Sequence, residues 1–159
     1  MIIKDKTLKI YINREPKYGP WGGGSKTVNK LVERCKELGF EVVFRLSDDI
    51  DMIFCIDPRP NNYGEWYQHF LDHKSKHGTK IIQRVGDIGT HGKPELTKLV
   101  RQTLNYSDYF IFPSYWARDT IGFFGDNSKV IFNKPMKEFY NNRKPSSDLS
   151  DPPDRDWET

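Results

Sequence analysis

Six short apolar runs alternate with amphipathic segments along this chain, and that alternation limits the folds open to it. The runs are LKIYIN (8–13), EVVF (41–44), DMIFCI (51–56), KIIQRV (80–85), YFIF (109–112) and KVIF (129–132). Each has the length and the β-former content of a strand. Between the first two, Val28, Leu31, Val32, Cys35 and Leu38 recur at helical spacing and stop at Gly39. Residues 64–77 carry Trp66, Tyr67, Phe70 and Leu71 on one helical side. Leu96, Leu99, Val100 and Leu104 follow Pro94, which suits the first turn of a helix. Ser114 is placed to cap another.

Strands and helices in this order predict an α/β domain, a Rossmann-like parallel sheet with helices on both faces. DMIFCI is apolar throughout, as a strand buried on both faces would be. Only LSDDID separates the second run from the core of the third, where a parallel crossover usually takes about a dozen residues. A tight extended link between parallel strands is expected there, with antiparallel pairing as the alternative. The domain is expected over residues 1–140. Residues 141–159 are polar, interrupted by Pro145, Pro152 and Pro153, and suit a tail or interdomain linker.

Charged residues make up 30% of the chain and hydrophobic ones 36%, a balance that suits a soluble domain. No apolar run approaches the roughly 20 residues of a membrane span, and MIIKDKTLKI lacks the apolar centre of a secretion signal. The cytoplasm is the expected compartment. A net charge of +3 is too small to argue for nucleic acid, though it favours an anionic ligand. Cys35 and Cys55 fall on an apolar helix face and in an apolar strand, and both are expected to be buried free thiols.

In an open parallel sheet, ligands bind at the carboxyl ends of the strands. The loops expected there are REPKYGPWGGGS, DPRPNNYG, GDIGTHGK and PSYW, all rich in glycine, charge or aromatic rings. The opposite loops, ELG and KHGT, are plain turns. Gly22, Gly23 and Gly24 allow close backbone approach to a ligand and open a helix whose free amides favour an anion. Arg84 can hold a phosphate or carboxylate by two parallel hydrogen bonds. Asp87 can orient a hydroxyl or take its proton, and His91 can shuttle a proton near neutral pH. Trp21, Tyr63, Trp66, Tyr115 and Trp116 flank the same edge, where aromatic rings stack on a sugar or base. His69, His73 and His77 recur every four residues, but no clear third ligand joins them, and the expectation is no metal.

The stretch 15–32 also bears on nucleotide binding. Gly19, Gly24, Lys26 and Thr27 approach the phosphate-loop spacing, but Ser25 intervenes before the lysine. One extra residue turns the lysine by about 100° at a helix start. A phosphate-loop enzyme would use Asp57, at the end of MIFCID, to hold magnesium.

Taken in order, GPWGGGSKTVNKLVERCKELGFEV, IIQRVGDIGTHG, SDYFIFPSYWARDTI and KVIFNKPMKEFY resemble a known family. The chain is similar to the amino-terminal, acceptor-side half of a GT-B glycosyltransferase of the large retaining family 4. Gly39, Phe40, Glu41 and Val42 match the start of that family's second strand, and Ser114, Lys129, Val130, Ile131, Asn133 and Phe139 match its later motifs. The resemblance covers residues 8 to about 140. NKPM at 133–136 replaces the family's hinge motif, and nothing here matches its donor-binding second domain.

The resemblance implies sugar transfer from a nucleotide-sugar donor to a hydroxyl acceptor, without a metal or other cofactor. It implies that a carboxyl-terminal donor-binding domain works with this one, in cis or in trans. Gly22, Gly23, Gly24 and Arg84 would then serve the donor phosphates, Asp87 and His91 the reacting groups, and Trp21, Tyr63 and Ser114 the acceptor or sugar. Two other readings stay open: the phosphate-loop nucleotide-binding protein, and a non-catalytic glycan-recognition module.

Overall fold

The structure is a computed structural model that describes residues 6–19 and 23–132. In chain order its elements are β1 (Lys9–Ile12), α1 (Gly23–Glu37), β2 (Glu41–Val43), β3 (Met52–Cys55), α2 (Tyr67–His77), β4 (Lys80–Arg84), α3 (Pro94–Thr103), β5 (Tyr109–Phe112), α4 (Tyr115–Ile121) and β6 (Ser128–Val130). The strands form one six-stranded sheet in the order β2-β1-β3-β4-β5-β6. Every adjacent pair is parallel. This is the expected α/β architecture, and the strand order reverses at β1.

Alternation along β1 sets the two faces. Ile10 and Ile12 pack with Val28, Val32 and Cys35 of α1. Tyr11 points to the other face, where Tyr67 and Phe70 of α2 meet it. Side chains two apart share a face of a strand, so α1 and α2 lie on opposite sides of the sheet. β3 serves both: Ile53 and Cys55 join the α2 cluster, while Met52 and Phe54 pack against the α1 cluster. A third cluster joins Phe110 and Phe112 of β5 to Leu96 and Val100 of α3 and Ile121 of α4. Cys35 and Cys55 are buried free thiols, as expected.

The short link between β2 and β3 joins parallel strands that are not neighbours, because β1 lies between them. Residues 44–51 cross on the α2 side, where Ile50 is buried and Leu46 packs against Tyr11's cluster. Polar groups fix the link where a helix would normally sit. Glu65 accepts from the Leu46 N–H at 3.0 Å. His73 gives its Nε2 hydrogen to the Ser47 carbonyl at 2.8 Å and takes the Thr79 hydroxyl at Nδ1. Asp51 accepts from the Lys9 amide at 2.8 Å while its own amide donates to the Lys9 carbonyl at 2.9 Å.

Helix ends follow local chemistry. Ser114 accepts from the Ala117 N–H at 3.0 Å and caps α4, and Pro94 occupies the first turn of α3, both as expected. α2 begins at Tyr67 rather than Gly64. Asn61 accepts from the amides of Tyr63 and Glu65 at 2.9 and 3.0 Å, and Gly64 takes φ +76°, so residues 61–65 form a turn.

Candidate functional site

With β2 beside one edge of β1 and β3 beside the other, the chain leaves the carboxyl end of β1 at a topological switch point. That is where open parallel sheets hold their ligands. A cleft of about 530 Å³ lies there, lined from the ends of β1, β3 and β4, a size that suits a small-molecule site. Val28, Phe44 and Ile56 make its apolar wall, and Asn13, Arg14, Asp57, Tyr63, Arg84 and Asp87 face it with polar groups. A wider groove of about 780 Å³ follows the exposed side of α3 from Gly89 to Asn105 and includes no strand end.

Asn13 builds the floor. It is 1% exposed. Its Oδ1 accepts from the Ile56 N–H at 2.7 Å, and its Nδ2 donates to the Asp57 carbonyl. The side chain thus continues the β1–β3 ladder past the last strand residues. Arg14 comes next and turns into the cleft corner, donating to the carbonyls of Asn13 at 2.8 Å and Arg59 at 3.0 Å.

Asp57 holds the other side of that corner. It accepts from the Arg59 amide at 2.9 Å and binds the Arg59 guanidinium through Nε and Nη2, the latter at 2.7 Å. Arg14 adds an ion pair at 3.7 Å. A carboxylate already engaged by two guanidinium groups is a poor candidate for the magnesium role that a phosphate-loop enzyme would give it.

Arg84 ends β4 and is half-buried. Burial lowers the pKa of its guanidinium, yet an arginine remains a cation at neutral pH. Its side chain folds over Gly86, where an added β-carbon would lie 2.7 Å from Nη1. Asp87 accepts from the Gly89 amide and from Lys93 Nζ, both at 2.8 Å. The Lys93 hydrogen bond, ahead of the Gly89 amide, holds its pKa below the ordinary value. Such a carboxylate is a weak base, and its natural role is to accept a hydroxyl's hydrogen bond. Tyr63 donates to Glu15, and the Arg45 guanidinium stacks on its ring at 4.1 Å. Asn29 of α1 accepts from the Lys17 amide and donates to its carbonyl, tying the loop after β1 to the helix.

Arg14, Lys17 and Arg84 line the cleft with Glu15, Asp57 and Asp87, three cations beside three carboxylates. Of the residues expected at the site, Tyr63, Arg84 and Asp87 line this cleft. His91 is exposed on the turn after them and does not line it. Ser114 is buried and engaged in its cap, also outside the lining. Gly23 and Gly24 form the start of α1, while Trp21 and Gly22 lie outside the described residues. Sequence reasoning missed Asn13, Arg14 and Asn61, and considered Asp57 only as a metal ligand. The signal for the first two is position, since they are the first residues after β1.

Each histidine of the α2 ladder is taken up in hydrogen bonds. His69 Nδ1 accepts from the Trp66 amide at 3.1 Å, His73 is buried between Ser47 and Thr79, and His77 faces Asp48 at 3.3 Å. Among the described residues no group of three histidine, cysteine or acidic side chains is placed to hold a metal. No described helix is long and apolar enough to cross a membrane. No protein-family model matches the chain, and a comparison with curated proteins finds no match.

Proposed function

We propose that this chain is the acceptor-side domain of a nucleotide-sugar glycosyltransferase, holding a hydroxyl-rich ligand in the switch-point cleft. The observation that carries the reading is the convergence of Asn13, Arg14, Asp57, Tyr63, Arg84 and Asp87 on one cleft at the ends of β1, β3 and β4. Carboxylate, amide and guanidinium groups around an apolar wall suit a sugar, which offers hydroxyls at its rim and C–H groups on its face. The Arg84 guanidinium suits a phosphate of a nucleotide-sugar donor, which it can hold by two parallel hydrogen bonds. The resemblance of residues 8–140 to family 4 GT-B enzymes supports the same assignment.

In that reaction an acceptor hydroxyl oxygen bonds to the anomeric carbon as the bond to the donor phosphate breaks. The hydroxyl proton leaves with the diphosphate or with a nearby base. Arg84 is the group for the charge that develops on the leaving phosphate, since a half-buried guanidinium acts in a low dielectric. Asp87 positions a hydroxyl. The donor's remaining contacts belong to a second domain in cis or in trans.

The test is calorimetric titration of the full chain with UDP-glucose, GDP-mannose, UDP, GDP and neutral oligosaccharides. Binding by a sugar-bearing probe, weakened about tenfold or more in Arg84→Met for the phosphate-bearing ones, is the expected result. No binding by any of them rejects the reading. Magnesium-dependent ATP or GTP binding in their place moves the assignment to a nucleotide-binding protein.

A further inference from the structure

Beneath the cleft, a buried chain of polar groups ends without a partner. Gln83 of β4 is fully buried. Ser107 Oγ donates to its Oε1 at 2.7 Å. Because the Ser107 proton is used there, the Tyr67 hydroxyl, 2.6 Å from Ser107 Oγ, must donate in turn. The chain therefore runs from Tyr67 through Ser107 to Gln83 and delivers two N–H groups at Nε2. Nε2 has no hydrogen-bond partner. Buried polar side-chain atoms are rarely left so, and each such atom points to a missing oxygen or nitrogen.

The structure offers a place for that atom. Gln83 lines a chamber of about 20 Å³ walled by Ile56, Pro58, Val85 and Val100. Ile56, Asp57, Arg84, Gly86 and Asp87 line both this chamber and the cleft above it. One water needs roughly 10–15 Å³ by this measure. A chamber of that size has room for one oxygen, and an oxygen that meets Nε2 must be an acceptor.

We propose that the chamber is a single-oxygen subsite of the cleft, filled by water in the free protein and by one hydroxyl of the bound ligand in the complex. Gln83 is then a specificity-determining residue: a ligand that displaces the water without supplying the hydroxyl leaves its amide buried and unpaired. This inference rests on the sugar-binding reading of the cleft.

Two measurements test it. A high-resolution crystal structure of the full free chain should show one ordered water within hydrogen-bond distance of the Gln83 amide, and a dry chamber overturns the proposal. The complex with UDP-glucose or GDP-mannose, whichever binds tighter, should show that water replaced by a sugar oxygen. A retained water overturns it, and this readout does not depend on any variant folding. In titration, one singly deoxygenated analogue of that sugar should bind wild type at least tenfold more weakly than its parent. In Gln83→Met the difference should vanish. Discrimination that persists in Gln83→Met overturns the subsite while leaving the sugar-binding reading intact, whereas wild type that binds neither the sugar nucleotides nor the neutral oligosaccharides overturns both.

Discussion

Gly86 leaves the space into which Arg84 folds: a β-carbon at that glycine would lie 2.7 Å from Arg84 Nη1. The clash falls on the far end of a flexible side chain, and Gly86 is not among the glycines at positive φ. Gly86→Ala should therefore fold normally and move the guanidinium. Its melting temperature should stay near wild type, because alanine at a compatible backbone position reduces unfolded-chain entropy and is worth about 0.4–1 kcal/mol in its favour. Affinity for phosphate-bearing ligands should fall about tenfold. Gly89→Ala is the contrasting variant. There φ is +76°, and the added carbon would meet the Lys93 carbonyl at 2.5 Å and the Thr97 amide nitrogen at 2.8 Å. Backbone strain of about 1–3 kcal/mol, with a clash against α3 added, should lower its melting temperature clearly. Thermal unfolding of the two variants side by side checks the pair.

Asn13 replaces a strand residue with a side chain. Asn13→Ala leaves the Ile56 N–H and the Asp57 carbonyl without their partner at the cleft floor. Each buried group left unpaired costs about 1–3 kcal/mol, so urea unfolding should show a loss of roughly 2–6 kcal/mol for the two. Asn13→Asp keeps the acceptor for Ile56 but loses the donor, and it sets a carboxylate against a carbonyl. It should be no more stable than the alanine variant.

The fold was legible because each run carries its own period. Ile10, Tyr11 and Ile12 alternate between two clusters, and Val28, Val32 and Cys35 recur on one helix face. The site was less legible. Arg84, Asp87 and Tyr63 stood out as charged or aromatic groups in loops rich in glycine. Asn13 looked like an ordinary polar strand end, since its role depends on β3 lying beside β1, a fact of strand order rather than of local sequence. The same order explains the short link 44–51: it crosses β1 and is held by Glu65 and His73, partners distant in sequence. The strand KVIF is found one residue early and shorter, at Ser128–Val130, although the Ile131 amide still donates to the Phe112 carbonyl at 2.9 Å.

Acid should unfold this domain through carboxylates that bind the backbone. The Lys9 amide, ahead of Lys6, holds Asp51 below its ordinary pKa. At Asp108 burial pushes upward, but Lys74 at 2.6 Å and the Ile81 amide at 2.8 Å outweigh it, and the net shift is downward. A carboxylate whose folded pKa lies below its unfolded value, about 3.9, stabilises the fold fully above that pH. The stability is lost as pH falls through the folded pKa. Stability should therefore be flat with respect to these groups above about pH 5 and fall below about pH 4. Asp108→Asn should be less stable at neutral pH and show a shallower acid limb. Urea midpoints from pH 2 to pH 7 measure both slopes, and an unchanged limb in Asp108→Asn removes this carboxylate from the account.

The two thiols should report on unfolding rather than on chemistry. Cys55 is fully buried in the α2 cluster, and Cys35 is 8% exposed against the opposite face. Burial raises both thiol pKa values, most strongly for Cys55, where the Asp57 charge adds to it. The thiolate is the reactive form, so neither cysteine should react with an aromatic disulfide reagent in the native protein at pH 8 on the timescale of a free thiol. Both should react at once in concentrated urea. Under native conditions Cys55 should label no faster than the global opening of the sheet, since it lies under Tyr67 and Phe70, whereas Cys35 can be reached by fraying the last turn of α1. Mass spectrometry of partially labelled protein separates the sites. Equal native rates at the two cysteines would mean that α1 does not open apart from the rest of the domain.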